Sequence, residues 1–216
     1  MTKRLALFDL DGTLIDSAGD LAAALNKMLA AYGREPLSLA EVIKMIGNGV
    51  PTLVERGLAA RPGEPVEHGE AMAKFNAAYD AASMVLTRVY PGVIETLQRL
   101  KATGLAMGVC TNKHADSAQH ILQTLGLAPF FPELVAGDSL PYRKPDPRVL
   151  TLTLARLGLT TEEAWMIGDS EVDAATAESA GVDFVLLTYG YHRGPVEAIP
   201  ARHRLDRFAD LAGILI

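Results

Sequence analysis

The chain has 216 residues, of which 49% are hydrophobic and 21% charged, a composition typical of a folded globular protein rather than a disordered or fibrous one. The formal net charge is −6, which argues against nucleic acids and anionic membranes as partners because both select basic surfaces. The length allows one domain, or one domain with an inserted unit.

The N-terminal segment and the cysteine content predict a cytoplasmic protein. The apolar segment LALF spans only four residues before Asp9, which is too short for the core of a signal peptide. No later segment has the uninterrupted apolar length of a membrane-spanning helix. Cys110 is the single cysteine, so no internal disulfide can form, as expected in a reducing compartment.

Short apolar segments separated by helical patterns predict an α/β fold. Each segment ends in polar or glycine-rich residues, which is typical of strands in a parallel sheet built from β–α units. The predicted strands, in chain order, are LALF, LAMGVC, LVAG, AWMI and FVLL.

The stretch 17–89 interrupts this alternation. It is rich in Ala, Leu, Met and Glu, shows no convincing strand, and predicts helices at about 20–31, 39–45, 51–59 and 66–82. We therefore expect residues 1–16 and 90–216 to form a core domain and residues 17–89 to form a helical domain inserted after the first strand.

Two acidic residues follow the first predicted strand. Asp9 and Asp11 are two positions apart in the segment DLDGT, and in extended chain this spacing directs both side chains to one side. The carboxyl ends of parallel strands are where open α/β sheets build their sites. A single Asp-x-Asp pattern is also compatible with an ordinary acidic loop.

Three further strand ends supply residue types that phosphoryl transfer requires. LAMGVC is followed by Thr111 and Asn112, which can donate hydrogen bonds to phosphate oxygens. The loop after LVAG carries Lys144 between prolines, and AWMI is followed by Asp169, with Asp173 one helical turn later. Their occurrence in this order, each after a predicted strand, indicates one active site.

Electrostatics explains why a cation is needed beside these acids. A carboxylate approaching a phosphate dianion is repelled by about 4 kcal/mol per charge pair at ~4 Å and an effective dielectric constant of ~20. Lys144 provides one positive charge, and the oxygen-rich set Asp9, Asp11 and Asp169 suits Mg²⁺. A carboxylate can act as a nucleophile on phosphorus, and a second can protonate the leaving alkoxide. We assign the role of nucleophile to Asp9 and that of acid to Asp11.

The four segments together resemble the motifs of the haloacid dehalogenase (HAD) superfamily. FDLDGT is similar to its first motif, the strand end at Thr111 to its second, Lys144 to its third and GDSEVD to its fourth. The resemblance covers nearly the whole chain. It implies a Rossmann-like core with a helical cap inserted after the first motif.

The resemblance also implies a role for each motif residue. Asp9 would be the nucleophile and a metal ligand, and Asp11 would be the acid/base and would offer its backbone carbonyl to the metal. Thr111 and Asn112 would bind the phosphate, and Lys144 would neutralise its charge. Asp169 would bind Mg²⁺, and Asp173 would support the metal site.

Within the superfamily, several patterns are similar to those of phosphoglycolate phosphatases. They are the cap segment Gly47-Asn48-Gly49 with Leu53 and Arg56, the segments Tyr90-Pro91-Gly92-Val93 and Thr111-Asn112-Lys113, and the late segment Tyr189-Gly190-Tyr191. We expect the backbone of residues 47–49, or Arg56, to bind the carboxylate of 2-phosphoglycolate. Hydrolysis to glycolate and phosphate is then the expected reaction.

Other functions remain open at this point. The same core chemistry serves phosphatases of other small esters or of pyrophosphate, and a β-phosphoglucomutase-like phosphomutase would return the phosphoryl group to a sugar. A dehalogenase needs no acid to protonate a leaving alkoxide, so the presence of Asp11 argues against that activity. A phospho-receiver or binding module also carries Asp, Thr and Lys at strand ends. We expect a monomer or homodimer that binds a small phosphate ester.

Overall fold

A computed structural model describes residues 3–82 and 84–216. Within them, six strands form one sheet in the order β5-β4-β1-β6-β7-β8, with every neighbouring pair parallel. These strands are β1 (Leu5–Phe8), β4 (Ala106–Cys110), β5 (Glu133–Val135), β6 (Ala164–Gly168), β7 (Asp183–Leu187) and β8 (His203–Leu205). The predicted parallel α/β fold is confirmed.

The sheet is covered on both faces, which explains why its central strands are apolar throughout. Successive residues of β1 point to opposite faces. Ala6 and Phe8 therefore join one hydrophobic cluster, whereas Leu5 and Leu7 join another. The first cluster contains side chains of α5 (Val93–Ala102) and α6 (Ala115–Thr124), and the C-terminal α9 (Ala212–Leu215) lies near it. The second cluster contains side chains of α7 (Arg148–Arg156) and α8 (Glu171–Ala180).

Four helices lie between the first strand and the rest of the core, where the sequence predicts helices. They are α1 (Ala18–Ala30), α2 (Leu39–Ile43), α3 (Val50–Ala60) and α4 (His68–Ala82), and they share a separate hydrophobic cluster. Their ends lie within two residues of the predicted ends. The helix expected from 66, for example, begins at His68 because the Glu67 carboxylate accepts hydrogen bonds from the Gly69 and Glu70 N–H groups.

We call residues 17–89 the helical unit and the remainder the core, and the division into two domains at these boundaries stays a prediction. No helix among residues 3–82 and 84–216 is long and apolar enough to span a membrane.

The expectation that 17–89 contains no strand is wrong at its last residues. β2 (Ile15–Asp16) pairs antiparallel with β3 (Arg88–Val89) where the chain leaves and re-enters the core. Two residues are too few to show a periodic pattern, and the pairing becomes visible only once the fold joins distant segments. The three residues of β8 are likewise too few to predict a strand from the sequence.

β1, β4 and β6 are neighbours in the sheet. Their carboxyl ends therefore open on the same edge. The segments that follow these strands begin with Asp9, Thr111 and Asp169, so the fold brings together residues that are far apart in sequence.

Candidate active site

A buried lysine bridges two of the predicted acidic residues. Lys144 Nζ lies 2.8 Å from Asp9 Oδ1 and 2.6 Å from Asp173 Oδ1, and Lys144 is only 2% exposed. Asp9 directly follows β1, and Asp173 lies in the first turn of α8. A cation is thus held beside the carboxylate that the sequence predicts as nucleophile.

The loop that carries Lys144 is fixed by its own side chains. Arg148 donates to both Asp146 carboxylate oxygens, at 2.9 and 2.6 Å. The guanidinium carbon lies 3.6 Å from the centre of the Tyr142 ring. Since these contacts flank Lys144 on both sides in sequence, they hold the loop in the form that points the ammonium into the site.

Asp169 is held by two hydrogen bonds at the end of β6. Thr13 Oγ1 donates to Oδ1 and the Tyr191 backbone N–H donates to Oδ2, both at 2.6 Å. A Cβ atom at Gly12 or Gly190 would overlap this carboxylate, so glycine is required at both positions. The carboxylate is therefore enclosed by backbone and has a fixed orientation.

Asp173 has contacts through both of its oxygens. Oδ1 pairs with Lys144, while Oδ2 accepts from the Ser170 hydroxyl at 2.6 Å in a capping box that begins α8. These bonds engage both oxygens of Asp173 and fix its orientation beside Lys144.

The buried carboxylates of Asp9, Asp169 and Asp173 fit a hard divalent cation. One oxygen from each lies within 4.8 Å of the others, and only the Lys144 ammonium pairs with them among the described residues. Asp9 Oδ1, although close to Lys144, has no hydrogen-bond partner of good geometry in the described chain. Oxygen ligands with excess negative charge are those that Mg²⁺ prefers.

The pKa values of Asp9 and Asp169 are both raised, as expected where buried negative charges outnumber positive ones. Burial raises the pKa of Asp9 to about 7, with Lys144 acting in the opposite direction. Burial and the charges of Asp173 and Asp9 raise the pKa of Asp169 well above its ordinary value. A cation bound here would favour the ionised forms of both groups.

Asp11 lies apart from these carboxylates. Lys113 Nζ lies 3.1 Å from Asp11 Oδ1 and 3.0 Å from Oδ2, and the Ser17 hydroxyl donates to Oδ1 at 2.5 Å. The side chain therefore faces the helical unit. Any contribution of Asp11 to a metal through its backbone carbonyl, as the family resemblance implies, stays a prediction.

Thr111 and Asn112 follow β4 and are both buried. Thr111 Oγ1 accepts from the Lys113 N–H at 3.2 Å. Asn112 Nδ2 donates to the carbonyls of Gly47 and Lys144, both at 2.9 Å. The Asn112 amide thereby links the helical unit to the loop that carries Lys144. Asn112 Nδ2 can donate to a phosphate oxygen only if it gives up one of these two hydrogen bonds.

A cavity of about 40 Å³ lies between the core and the helical unit, with room for a few water molecules at most. It is lined by Asp9, Asp11, Thr111, Asn112 and Lys113 from the core, and by Leu21, Ile46, Gly47, Gly49, Val50 and Leu53 from the helical unit. The helical unit thus lies close over the acidic residues, and we expect it to move when a phosphate ester enters.

The predicted carboxylate-binding turn borders this cavity. Gly47 and Gly49 have φ of +112° and +85°, which other residues rarely adopt. Arg56 donates to the Met45 carbonyl at 2.7 Å and to Asn48 Oδ1 at 2.9 Å, beside a neighbouring groove. Its guanidinium supports the turn in this conformation, and contact with substrate stays a prediction.

Several residues that the sequence does not assign to the site contact the predicted site residues. They include Thr13, Ser17, Lys113 and Tyr191. Lys113 and Tyr191 belong to the sequence patterns that resemble phosphoglycolate phosphatases, which assign them no contact with the site residues. The position of Lys113 directly after Thr111-Asn112 was the available signal, but an isolated lysine after a strand is usually exposed.

Comparison with known proteins agrees with this geometry. The pattern of the haloacid dehalogenase-like hydrolase family matches residues 6–187. A phosphoglycolate phosphatase of Cereibacter sphaeroides (strain ATCC 17029 / ATH 2.4.9) is 46% identical over 211 residues, which are 97% of this chain and 96% of the relative. Phosphoglycolate phosphatase 1 of Pseudomonas aeruginosa is 42% identical, over 96% of this chain and 78% of the relative.

A similar solved structure is that of a predicted phosphoglycolate phosphatase from Haemophilus somnus 129pt. It superposes with a TM-score of 0.95 at 34% sequence identity and covers 100% of this chain and 99% of its own. The resemblance stated from the motifs is confirmed across the whole chain.

Proposed function

Because the chain belongs to the haloacid dehalogenase-like hydrolase family, we propose that it hydrolyses 2-phosphoglycolate to glycolate and inorganic phosphate through a phosphorylated Asp9. The observation that carries the proposal is the buried pair of Asp9 and Lys144, 2.8 Å apart at the end of β1. The names of the phosphoglycolate phosphatases of Cereibacter sphaeroides and Pseudomonas aeruginosa support the choice of substrate.

In the first step, a carboxylate oxygen of Asp9 attacks phosphorus, the bond from phosphorus to the ester oxygen breaks, and Asp9 becomes an acyl phosphate. Lys144 offsets the repulsion between this carboxylate and the phosphate dianion. Its ammonium is held by Asp173 at 2.6 Å, so little reorganisation is needed when the substrate binds.

Mg²⁺ is the proposed cofactor. Asp9, Asp169 and the Asp11 backbone carbonyl would hold it, supported by Asp173, and it would supply positive charge to offset that of the phosphate. The chain's own contribution is a rigid set of oxygen ligands, since Asp169 is fixed by Thr13 and by the Tyr191 backbone.

Asp11 is the proposed acid and base. Its carboxyl group gives a proton to the leaving alkoxide of glycolate. In the second step it takes a proton from the water that attacks phosphorus, the bond from phosphorus to Asp9 breaks, and inorganic phosphate leaves the regenerated Asp9 carboxylate. The Ser17 hydroxyl, 2.5 Å from Oδ1, orients the group. The helical unit excludes other water while it is closed.

A kinetic screen with Mg²⁺ tests the proposal. We expect kcat/KM for 2-phosphoglycolate to exceed that for pyrophosphate and for hexose phosphates by about tenfold or more. Asp9→Asn, verified by mass to be free of deamidation, is the control and should be inactive. A hexose phosphate or pyrophosphate turned over about tenfold faster than 2-phosphoglycolate would reject the substrate, and activity of Asp9→Asn near wild type would reject the mechanism.

A further inference from the structure

The side chain of Lys113 is buried beside the active site but has no task in the mechanism above. It is 7% exposed, lines the cavity, and among the described residues its ammonium hydrogen-bonds only to Asp11. On another side, the ring of Tyr79 from α4 lies 5.5 Å from Nζ. The ammonium is therefore confined to the space between Asp11, the helical unit and the cavity.

The contacts of Lys113 obstruct the proposed role of Asp11. Both oxygens of that carboxylate face Nζ, at 3.1 and 3.0 Å, and Oδ1 also accepts from Ser17. A carboxyl group engaged in this way has little room for the ester oxygen of a substrate. Lys113 must release at least one oxygen before Asp11 can contact the leaving group.

A buried ammonium does not leave its only anionic partner without a replacement, because an unpaired buried charge is costly. The ion pair with the Asp11 carboxylate, at 3.0 Å, favours the charged form of the lysine. The replacement must therefore be a second anion that enters the same cavity.

The substrate supplies such an anion. In 2-phosphoglycolate one methylene group separates the ester oxygen from the carboxylate, so the groups that contact these two parts must be neighbours. Asp11 and Lys113 are neighbours at 3.0 Å and both line the cavity. The phosphate itself is opposed by Lys144, which pairs with Asp9.

We propose that Lys113 binds the carboxylate of the substrate, and that its transfer from Asp11 to this carboxylate frees Asp11 for the leaving oxygen. The inference rests on the proposed function, since it concerns the same reaction. It makes Lys113 a specificity-determining residue: a substrate without a carboxylate leaves the lysine on Asp11 and reacts slowly.

Lys113 is better situated for this role than Arg56. The Arg56 guanidinium is engaged by Met45 and Asn48 beside the adjoining groove, whereas Lys113 lines the cavity itself. The backbone of Gly47 and Gly49 also lines the cavity and can add hydrogen bonds to the same carboxylate. Charge from the core and N–H groups from the turn would then recognise it together.

The test compares 2-phosphoglycolate with its neutral amide, 2-phosphoglycolamide, in wild type and Lys113→Met. The amide matches the substrate in size but lacks the charge. We expect kcat/KM of the variant to fall about 10²-fold for 2-phosphoglycolate, because a charged hydrogen bond is lost, but not to fall for the amide, because the lysine no longer occupies Asp11. Lys113→Arg, which keeps the charge, should retain the preference, and Lys74→Met, on the exposed face of α4, is the control.

The outcomes separate the two proposals. If wild type prefers the acid and Lys113→Met loses equally on both substrates, Lys113 only positions Asp11 and the inference is wrong, while the proposed function stands. If wild type shows no preference for the acid, the substrate assignment fails and the inference fails with it. Should Lys113→Met not fold, loss of the preference in Lys113→Arg would equally overturn the inference.

Discussion

At the scale of single residues, Asp9 and Asp11 have different surroundings although they are two positions apart. Asp9 faces Lys144 and the buried carboxylates, whereas Asp11 faces Ser17 and Lys113. Two carboxyl groups in such different environments are suited to different tasks in one reaction. This asymmetry supports a nucleophile on one side and an acid/base on the other.

Replacement of the acid should affect alkyl and aryl esters differently. We expect Asp11→Asn to slow phosphoryl transfer from 2-phosphoglycolate by roughly 10²–10⁴-fold, and to slow transfer from an aryl phosphate much less because a phenolate leaves without a proton. Single-turnover measurements of transfer to the enzyme check this. Equal losses on both substrates would mean that Asp11 serves structure or metal binding instead.

The strand-end residues could be predicted because their type and order are visible in the sequence. Asp9, Thr111, Lys144 and Asp169 each follow an apolar segment or lie in the loop after it. The ion pair of Lys113 with Asp11 could not be predicted, since it joins positions 102 apart and depends on burial by the helical unit. A lysine next to a motif gives no sign of its partner until the fold is known.

At the scale of elements, hydrogen bonds from polar side chains fix the two connections between the core and the helical unit. The Tyr191 hydroxyl accepts from the N–H groups of Ser17 and Ala18, at 2.8 and 2.9 Å, where α1 begins. On the returning chain, Asp20 accepts from the Thr87 N–H at 2.9 Å and from its hydroxyl at 2.6 Å. These bonds anchor the base of the helical unit, so motion is expected farther from it.

Arg193 of the core contacts the helical unit away from these two connections. Arg193 donates to the carbonyls of Lys44 and Ile46, both at 3.2 Å, and to Asn48 Oδ1. Its own backbone N–H is held by Glu171 at 2.9 Å. The guanidinium therefore stabilises the closed arrangement at the turn that borders the cavity.

Arg193→Ala should favour opening of this side. We expect amide hydrogen exchange in residues 39–60 to become roughly threefold to tenfold faster, because bonds made only in the closed form are lost, while the strands of the core keep their protection. Hydrogen-exchange mass spectrometry provides the measurement. Arg207→Ala is the matched control, since Arg207 pairs with Asp210 at the surface and with no other acid among the described residues. Identical exchange in both variants would exclude Arg193 as the closing contact.

Helices were easier to predict than short strands. Apolar spacing predicts all four helices of the helical unit, because each buries one face in a shared cluster. Side-chain caps fix the start of α2 at Ser38 and the start of α4 at Glu67. β2, β3 and β8 have only two or three residues. Their pairing depends on the arrangement of larger elements, which local sequence does not specify.

At the scale of the whole molecule, the site lies between two separately packed parts, and its buried carboxylates outnumber the lysine that opposes them. The folded protein should therefore bind a cation that the unfolded chain does not. Binding to the native state alone raises stability by mass action. Metal dependence is thus expected in stability as well as in activity.

Mg²⁺ at about a hundred times its Kd should stabilise the protein by about 2.7 kcal/mol, a rise in Tm of about 5–10 °C for a chain of this length. EDTA should abolish turnover and Mg²⁺ restore it, whereas Ca²⁺, with its looser coordination, should restore it poorly. Calorimetry and kinetic assays measure both effects. Asp169→Asn should remove the shift in Tm; full activity in metal-free buffer would contradict the metal site.

The central claim, that the phosphoryl group passes through Asp9, is tested most directly by trapping it there. Asp11→Asn should accept phosphate from an aryl ester but release it slowly, because the second step lacks its base. After acid quench, mass spectrometry of the digested protein should locate one phosphoryl group on Asp9, and the double variant with Asp9→Asn should carry none. Phosphate on another residue, or continued turnover with no phosphorylated protein, would contradict the account.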